Sequence, residues 1–181
     1  MGKTICFTGK RPKGMYGYTF NEKYRKMEWS LYDWLLARAD INRAITGGAQ
    51  GFDQIAFWAC SNANISKNGL YIPFHGQESK WRRDGLFGQK EYYRIILNAD
   101  EMTVCSKLDI ETASAKELAE AYLKRNRDMV DSSDIVFGCF DTRIDFHNDR
   151  SGTAATLRYA EEQGKEIWFI DVNSMEVKRY E

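Results

Sequence analysis

The sequence contains no long hydrophobic run and no excess of either charge. No stretch of 18 apolar residues occurs, which excludes a typical transmembrane helix. The 26 basic and 26 acidic residues balance, so the net charge does not attract the chain to nucleic acid or to a membrane surface. Because the first residues lead directly into an apolar segment, we also expect no signal peptide.

Residues that commonly bind metals are also scarce. The two histidines, His75 and His147, are far apart, and four cysteines lie at apolar or helical positions without the spacing of a metal site: Cys6, Cys60, Cys105 and Cys139. We therefore predict no metal site and no cofactor. Free, buried thiols are typical of a reducing compartment, so we expect a cytoplasmic protein.

Short apolar runs alternate with segments that have helical periodicity. The pattern predicts strands near 3–8, 41–46, 69–73, 100–105, 134–140 and 166–171, and helices near 21–39, 52–64, 88–98, 113–132 and 152–163. The alternating tail, 175–180, is interpreted as an edge strand. Because the runs are continuously apolar, they predict a central parallel sheet of at least five strands, covered on both faces. We expect one α/β domain, a three-layer sandwich over residues 1–181.

A glycine-rich turn, TGGAQGFD, occupies residues 46–53 between a predicted strand and a predicted helix. A backbone without Cβ atoms can approach a ligand closely, and the N–H groups at a helix start attract anions. We therefore predict that Gly47, Gly48, Ala49 and Gln50 bind phosphate, and that a bulky residue at Gly48 blocks binding but leaves the fold largely intact. The alternative is a tight turn without a ligand. Asp53 either contacts the ligand or caps the helix and holds the turn.

Two further turns of this kind follow other predicted strands. One, TGKRP with a glycine-aromatic loop after it, follows the first strand, and the other, DRSGT, begins the last helix. Because crossover connections bring such turns to one edge of a parallel sheet, we expect them to form one cleft, with the first two strands side by side. The candidate ligand residues in these turns are Thr8, Gly9, Lys10, Arg11, Gly17, Tyr18, Ser151, Gly152 and Thr153.

An ordered set of segments resembles the YpsA-like branch of the SLOG superfamily over nearly the whole chain: TGKRP, TGGAQGFDQIAFWA, IPF, RNRDMVDSSDIVFGCFD and SGTAATLRYAEEQGKEI. The superfamily includes LOG enzymes and DNA-processing protein A. The resemblance implies a Rossmann-like fold with a nucleotide or nucleotide-derived ligand across the glycine-rich loops. It also implies that Arg125 and Asn126 face the ligand. The alternative is that the basic residues here only stabilise a helix C-terminus.

The chain departs from its relatives at positions that matter for chemistry. Thr156 stands where LOG enzymes have a glutamate that serves N-glycosidic cleavage, and a threonine cannot act as a carboxylate acid or base. Lys10 stands where the family commonly has a histidine, which favours contact with phosphate over proton transfer. No catalytic residue is assigned, and the missing glutamate argues against the LOG-type reaction.

The segment Lys80-Trp81-Arg82-Arg83 is the one basic and aromatic cluster that suits single-stranded DNA. Because the rest of the chain is charge-neutral, we favour a surface loop with an anchored aromatic, and a lid over the ligand is a further alternative. We therefore predict a protein that senses, carries or sequesters a nucleotide or a nucleotide-derived small molecule. The alternatives are a LOG-type nucleoside-phosphate hydrolase and, more weakly, a DNA-binding protein. A homo-oligomer is compatible with the sequence, and a membrane partner is not expected.

Overall fold

A computed structural model describes residues 2–181 of the chain. Its strands are β1 (Lys3–Gly9), β2 (Ile41–Thr46), β3 (Lys67–Ile72), β4 (Glu101–Val104), β5 (Ile135–Phe140), β6 (Glu166–Asp171) and β7 (Val177–Arg179). Its α-helices are α1 (Glu22–Leu36), α2 (Phe52–Asn62), α3 (Gln89–Asn98), α4 (Ala115–Asp131) and α5 (Gly152–Glu162). A single turn of 3-10 helix covers Pro12–Gly14.

The strands form one seven-stranded sheet in the order β4-β3-β2-β1-β5-β6-β7. Strands β1 to β6 pair in parallel, and only β7 pairs antiparallel to its neighbour β6. This arrangement confirms the predicted three-layer α/β fold, and β1 lies beside β2 as expected. The strand order reverses on the two sides of β1, between β2 and β5. Such a switch point is where open α/β sheets bind ligands.

Successive residues of the central strands pack into opposite layers, as the two-residue repeat of a strand requires. Ile5 and Phe7 of β1 belong to an apolar cluster with α1 and α2. Cys6, between them, belongs to a second cluster with α4 and α5. The helices therefore cover both faces of the sheet, and the continuous apolar runs follow from burial on both sides.

Two helices begin at serine caps. Ser114 Oγ accepts a hydrogen bond from the N–H of Glu117 at 3.3 Å, and the Glu117 carboxylate accepts one from the N–H of Ser114 at 2.8 Å. This reciprocal pair is a capping box at the start of α4. At the start of α5, Ser151 Oγ accepts from the N–H of Ala154 at 3.2 Å. Both caps satisfy helix N–H groups that lack a partner within the helix.

All four cysteines are free. Cys6, Cys60 and Cys139 are fully buried, whereas Cys105 is partly exposed. Burial raises the pKa of the Cys6 thiol to about 12 and raises the pKa of Cys60 and Cys139 as well. Within residues 2–181, no helix combines the length and apolar character needed to cross a bilayer.

Candidate functional site

A cleft of about 500 Å³ lies at the carboxyl end of β1, at the switch point of the sheet. It is formed by the loop after β1, the glycine-rich turn before α2, the middle of α4 and the start of α5. Among its lining residues are these predicted site residues: Thr8, Gly9, Lys10, Arg11, Ala49, Asp53, Arg125, Asn126, Ser151, Gly152 and Thr153. The topology therefore brings the three predicted turns to one edge of the sheet.

Five predicted residues do not line this cleft. Tyr18 and Gln50 line a separate groove, and the Gln50 side chain donates a hydrogen bond to the Phe87 carbonyl at 2.9 Å. The remaining three are Gly17, Gly47 and Gly48. Gln50 therefore anchors the segment before α3, a contact that the local pattern of the turn does not predict.

The start of α5 is open to the cleft. The ammonium of Lys10 lies 3.1 Å from Asp149 Oδ2 and 3.3 Å from Ser151 Oγ. In the described part of the chain, the N–H groups of Gly152 and Thr153 make no hydrogen bond. A Cβ atom added at Gly152 would meet nothing within 4 Å. Unpaired helix N–H groups beside a lysine form an arrangement that attracts anions.

Asp149 holds this end of the cleft together. Its carboxylate accepts hydrogen bonds from the hydroxyl of Ser151 at 2.6 Å and from the N–H of the same residue at 3.1 Å. The bond from the Ser151 hydroxyl and the contact with Lys10 lower the pKa of Asp149 to about 2 against the opposing effect of burial. Asp149 is therefore ionised at neutral pH, and it keeps the Lys10 side chain at the α5 N-terminus.

The glycine-rich turn is filled by the protein's own groups. The N–H of Ala49 donates to Asp53 Oδ2 at 3.4 Å, and the N–H of Phe52 donates to the Lys10 carbonyl at 3.3 Å. The carbonyls of Gly47 and Gly48 accept from buried glutamines, Gln77 at 3.2 Å and Gln54 at 3.3 Å. The Asp53 carboxylate thus occupies a position that the sequence assigns to a phosphate. Asp53 therefore holds the turn and lines the cleft, but the expectation that it caps α2 is wrong: the N-cap residue is Gly51, and in the described chain no side chain caps the helix.

The glycines at 47 and 48 are required by packing within the protein. A Cβ on Gly47 would coincide with Nη1 of Arg125. A Cβ on Gly48 would lie 2.8 Å from Leu70 Cδ1 and 2.9 Å from Tyr92 Cε2, and its φ of +64° is unfavourable for other residues. This packing argues against the expectation that a bulky residue at Gly48 leaves the fold largely intact, because the new side chain would enter the core.

Arg125 is a buried cation of the cleft with unpaired hydrogen-bond donors. It is 5% exposed, and its Nε and Nη1 atoms are buried without a hydrogen-bond acceptor in the described residues. Its nearest carboxylate is that of Asp53, with Nη1 3.7 Å from Oδ2, beyond hydrogen-bond distance. Burial lowers the pKa of Arg125 while Asp53 opposes that shift, and burial raises the pKa of Asp53 against the effect of Arg125. A buried guanidinium with unused donors is costly unless an acceptor binds it.

Tyr122 is a cleft residue that the sequence reading missed. Its ring lies 5.8 Å from the guanidinium carbon of Arg11 and 5.9 Å from that of Arg125. Tyr122 precedes Arg125 and Asn126 by three and four positions on α4, and this spacing places all three on one helix face. That periodicity is the signal that could have identified it. Lys13, Gly14 and Phe7 also line the cleft without having been predicted.

The segment 80–83 lies away from the cleft. The Trp81 ring packs against Tyr92, with centroids 5.3 Å apart, and Lys80 and Arg82 line the groove with Tyr18. Of the interpretations of this segment, the surface loop anchored by an aromatic side chain is the one that fits Trp81.

At the position of the LOG glutamate, the Thr156 hydroxyl donates to the Gly152 carbonyl at 2.8 Å and is buried. Across residues 2–181, no group of three or more histidine, cysteine or acidic residues is arranged to hold a metal.

Comparisons with known proteins agree with this architecture. Residues 5–175 match a family model described as the YspA SLOG family. A protein from the SPbeta prophage of Bacillus subtilis (strain 168), YoqJ, is 32% identical over 146 residues, which cover 74% of this chain and 79% of YoqJ. The X-ray structure of DNA processing protein A (DprA) from Streptococcus pneumoniae superposes with a TM-score of 0.59 at 15% identity. That match covers 93% of this chain but only half of the DprA chain, and at this identity it shows the fold alone.

Proposed function

This chain belongs to the YspA SLOG family, and from that premise we propose that it binds a nucleotide or a nucleotide-derived small molecule in the cleft at the carboxyl end of β1. The family and the DprA-like fold suggest a function related to nucleotides or nucleic acids. The cleft volume of about 500 Å³ suits a small molecule.

The observation that carries the proposal is the open N-terminus of α5. The unpaired N–H groups of Gly152 and Thr153 and the ammonium of Lys10, which also pairs with Asp149, form a corner of hydrogen-bond donors with room for a phosphate. The dipole of an α-helix and the free N–H groups of its first turn both favour an anion at this position. The phosphate therefore binds at α5 and Lys10, and the glycine-rich turn contributes mainly by positioning Asp53 and Arg125.

The charges of the cleft support an anionic ligand. Lys10, Arg11, Lys13 and Arg125 line it, against two carboxylates, that of Asp53 in its lining and that of Asp149, which pairs with Lys10. Because the whole chain is neutral, this excess of positive charge is local. A low-dielectric cleft strengthens the attraction between such groups and a phosphate.

The same site argues against rapid turnover of LOG type. Thr156 offers no carboxylate, and its hydroxyl is engaged with the Gly152 carbonyl. Of the two carboxylates at the cleft, Asp53 is held in the turn by the N–H of Ala49 and the nearby Arg125, and Asp149 is held by Lys10 and Ser151. We therefore favour binding over hydrolysis, with the nucleoside-phosphate hydrolase as the alternative.

Calorimetric titration with nucleoside monophosphates, dinucleotides and cyclic ADP-ribose tests the proposal. Binding of at least one compound is expected, and Lys10→Ala should weaken it by about 1.5–3 kcal/mol, because the variant removes a charged donor and leaves Asp149 facing the anion. Lys116→Ala, on the exposed part of α4, is the matched control and should bind normally. Absence of binding across the panel would contradict the proposal. Release of base or phosphate at about one turnover per second or faster would instead identify an enzyme.

A further inference from the structure

The cleft contains a second cationic group that the α5 corner does not use. Arg125 and Arg11 both lie beside the ring of Tyr122, whereas Lys10 is held by Asp149 and Ser151. The two groups are joined in one cleft, since Arg11 follows Lys10 directly. This second group is called the arginine subsite below, and it consists of Arg11, Tyr122 and Arg125.

The unpaired N–H donors of Arg125 indicate that, in the described part of the chain, the arginine subsite lacks a hydrogen-bond acceptor. Its Nε and Nη1 atoms are buried without an acceptor in the described residues, and the side chain is 5% exposed. Asp53 lies 3.7 Å away and does not accept a hydrogen bond from it. A guanidinium presents its donors in a planar fork that matches the oxygens of a phosphate or carboxylate. A ligand oxygen placed here would satisfy these donors.

The charges of Asp53, Arg125 and Arg11 indicate how many phosphoryl groups the ligand carries. Asp53 partly balances Arg125, while Arg11 is exposed and makes no ion pair within residues 2–181. The arginine subsite therefore offers one unbalanced positive charge, in addition to the unpaired N–H groups at the α5 corner, where Lys10 is paired with Asp149. This charge pattern fits a ligand with two phosphoryl groups better than a ligand with one.

Resting on the proposed function, we propose that the ligand carries a diphosphate, with one phosphoryl group at the α5 N-terminus and Lys10 and the other at the arginine subsite. Gly47 is part of the arginine subsite because its lack of a Cβ makes room for Arg125. Because a Cβ there would coincide with Arg125 Nη1, the glycine allows the guanidinium to lie directly against the turn. The diphosphate occurs either at the end of a nucleotide or as a bridge to a second group, and both have the same chemistry at this site.

Matched titrations with AMP, ADP and ADP-ribose, in the absence of added divalent metal, test the subsite. ADP or ADP-ribose should bind about tenfold more tightly than AMP, and the tighter of the two identifies a terminal or a bridging diphosphate. Arg125→Gln and Arg11→Gln should each weaken ADP and ADP-ribose binding more than AMP binding, and so remove that preference. Lys10→Gln should weaken the binding of all three compounds, and Lys116→Gln should change none.

The results with these variants distinguish a failure of the diphosphate subsite from a failure of nucleotide binding itself. Arg11 is exposed, so Arg11→Gln keeps the test valid even where Arg125→Gln destabilises the fold by leaving Asp53 unbalanced. Equal affinity for AMP, ADP and ADP-ribose, or an equal loss of AMP and ADP binding in Arg11→Gln, would overturn the diphosphate subsite and leave nucleotide binding intact. If none of the three compounds binds, both proposals fail.

Discussion

Glycine residues in two of the turns at the site are needed for different reasons, one for core packing and one for access of the ligand, and substitution distinguishes these two roles. Gly48 faces Leu70 and Tyr92 with a positive φ, whereas Gly152 faces open space in the cleft. We predict that Gly48→Val lowers the free energy of unfolding by more than about 2 kcal/mol, through overpacking and backbone strain. Urea unfolding measures this loss, and an unchanged midpoint would contradict the packing of the turn.

Gly152→Ala is predicted to reduce nucleotide affinity and to leave stability nearly unchanged. Its Cβ should project into the cleft, so nucleotide affinity should fall while the free energy of unfolding changes by less than about 1 kcal/mol. Calorimetry and urea unfolding of the same preparation give both quantities. Unchanged affinity would mean that the ligand does not approach the α5 backbone closely.

The side chain of His147 makes stability depend on pH. Its Nε2 lies 2.7 Å from Glu161 Oε2 and its Nδ1 2.8 Å from Asp145 Oδ1, and these contacts raise the pKa of His147. The charged ring therefore stabilises the fold fully below the unfolded pKa of about 6.5, and this contribution is lost as pH rises through the folded pKa.

Comparison of the wild-type protein with His147→Gln should show this dependence. The difference in melting temperature should be largest near pH 5.5 and should shrink as pH rises past the folded pKa of His147. Thermal melts between pH 5.5 and pH 9 measure it. A difference that grows with pH would have the wrong sign for a histidine held by two carboxylates.

At the level of elements, two serine caps allow a matched comparison. Ser151 caps α5 inside the cleft and Ser114 caps α4 outside it. Either serine replaced by alanine should cost about 1 kcal/mol of stability, since each leaves a helix N–H without its acceptor. Only Ser151→Ala should also weaken nucleotide binding, because it removes a group beside Lys10. Equal affinities of the two variants would show that the α5 cap takes no part in binding.

Element type and order follow from periodicity, but element ends depend on contacts elsewhere in the chain. Helix α1 ends at Leu36, not near residue 39 as predicted. The following residues turn instead, with the N–H of Arg38 donating to the Leu35 carbonyl, and Arg38 pairs with Asp40 and with distant Glu166. Strand β3 begins at Lys67, two residues before the predicted start, and Lys67 pairs with Glu101 of β4. Polar residues at strand starts carry no apolar signal, so the pattern misses them.

The location of the cleft could be predicted because parallel strands align their carboxyl ends. The occupant of the glycine-rich turn could not. A glycine-rich turn before a helix is typical of phosphate sites, yet here Asp53 and Arg125, from separate helices, fill it. Arg125 reaches Gly47 only through the packing of α4 against the sheet, and local spacing does not encode that contact. The contacts of the site residues with a ligand stay predictions.

For the whole molecule, we propose that residues 2–181 unfold as one unit. One sheet runs through the chain, and apolar clusters on both of its faces share strand β1. Far-UV circular dichroism reports on the helices, and tryptophan fluorescence reports on Trp34 and Trp168 against one cluster and on Trp58 and Trp81 against another. The transitions in urea should coincide. Two separate midpoints would indicate two independently stable domains.

The free cysteines have a consequence for chemical labelling. Only a thiolate reacts quickly with iodoacetamide, and burial keeps Cys6, Cys60 and Cys139 protonated and out of reach in the folded chain. Cys105 is partly exposed, though burial and the nearby Asp128 raise its pKa to about 11. Alkylation at neutral pH should therefore modify Cys105 first. The three core cysteines, two in the sheet and one in α2, should react only as fast as the core opens, so that mass spectrometry can time the opening of the protein without an added probe.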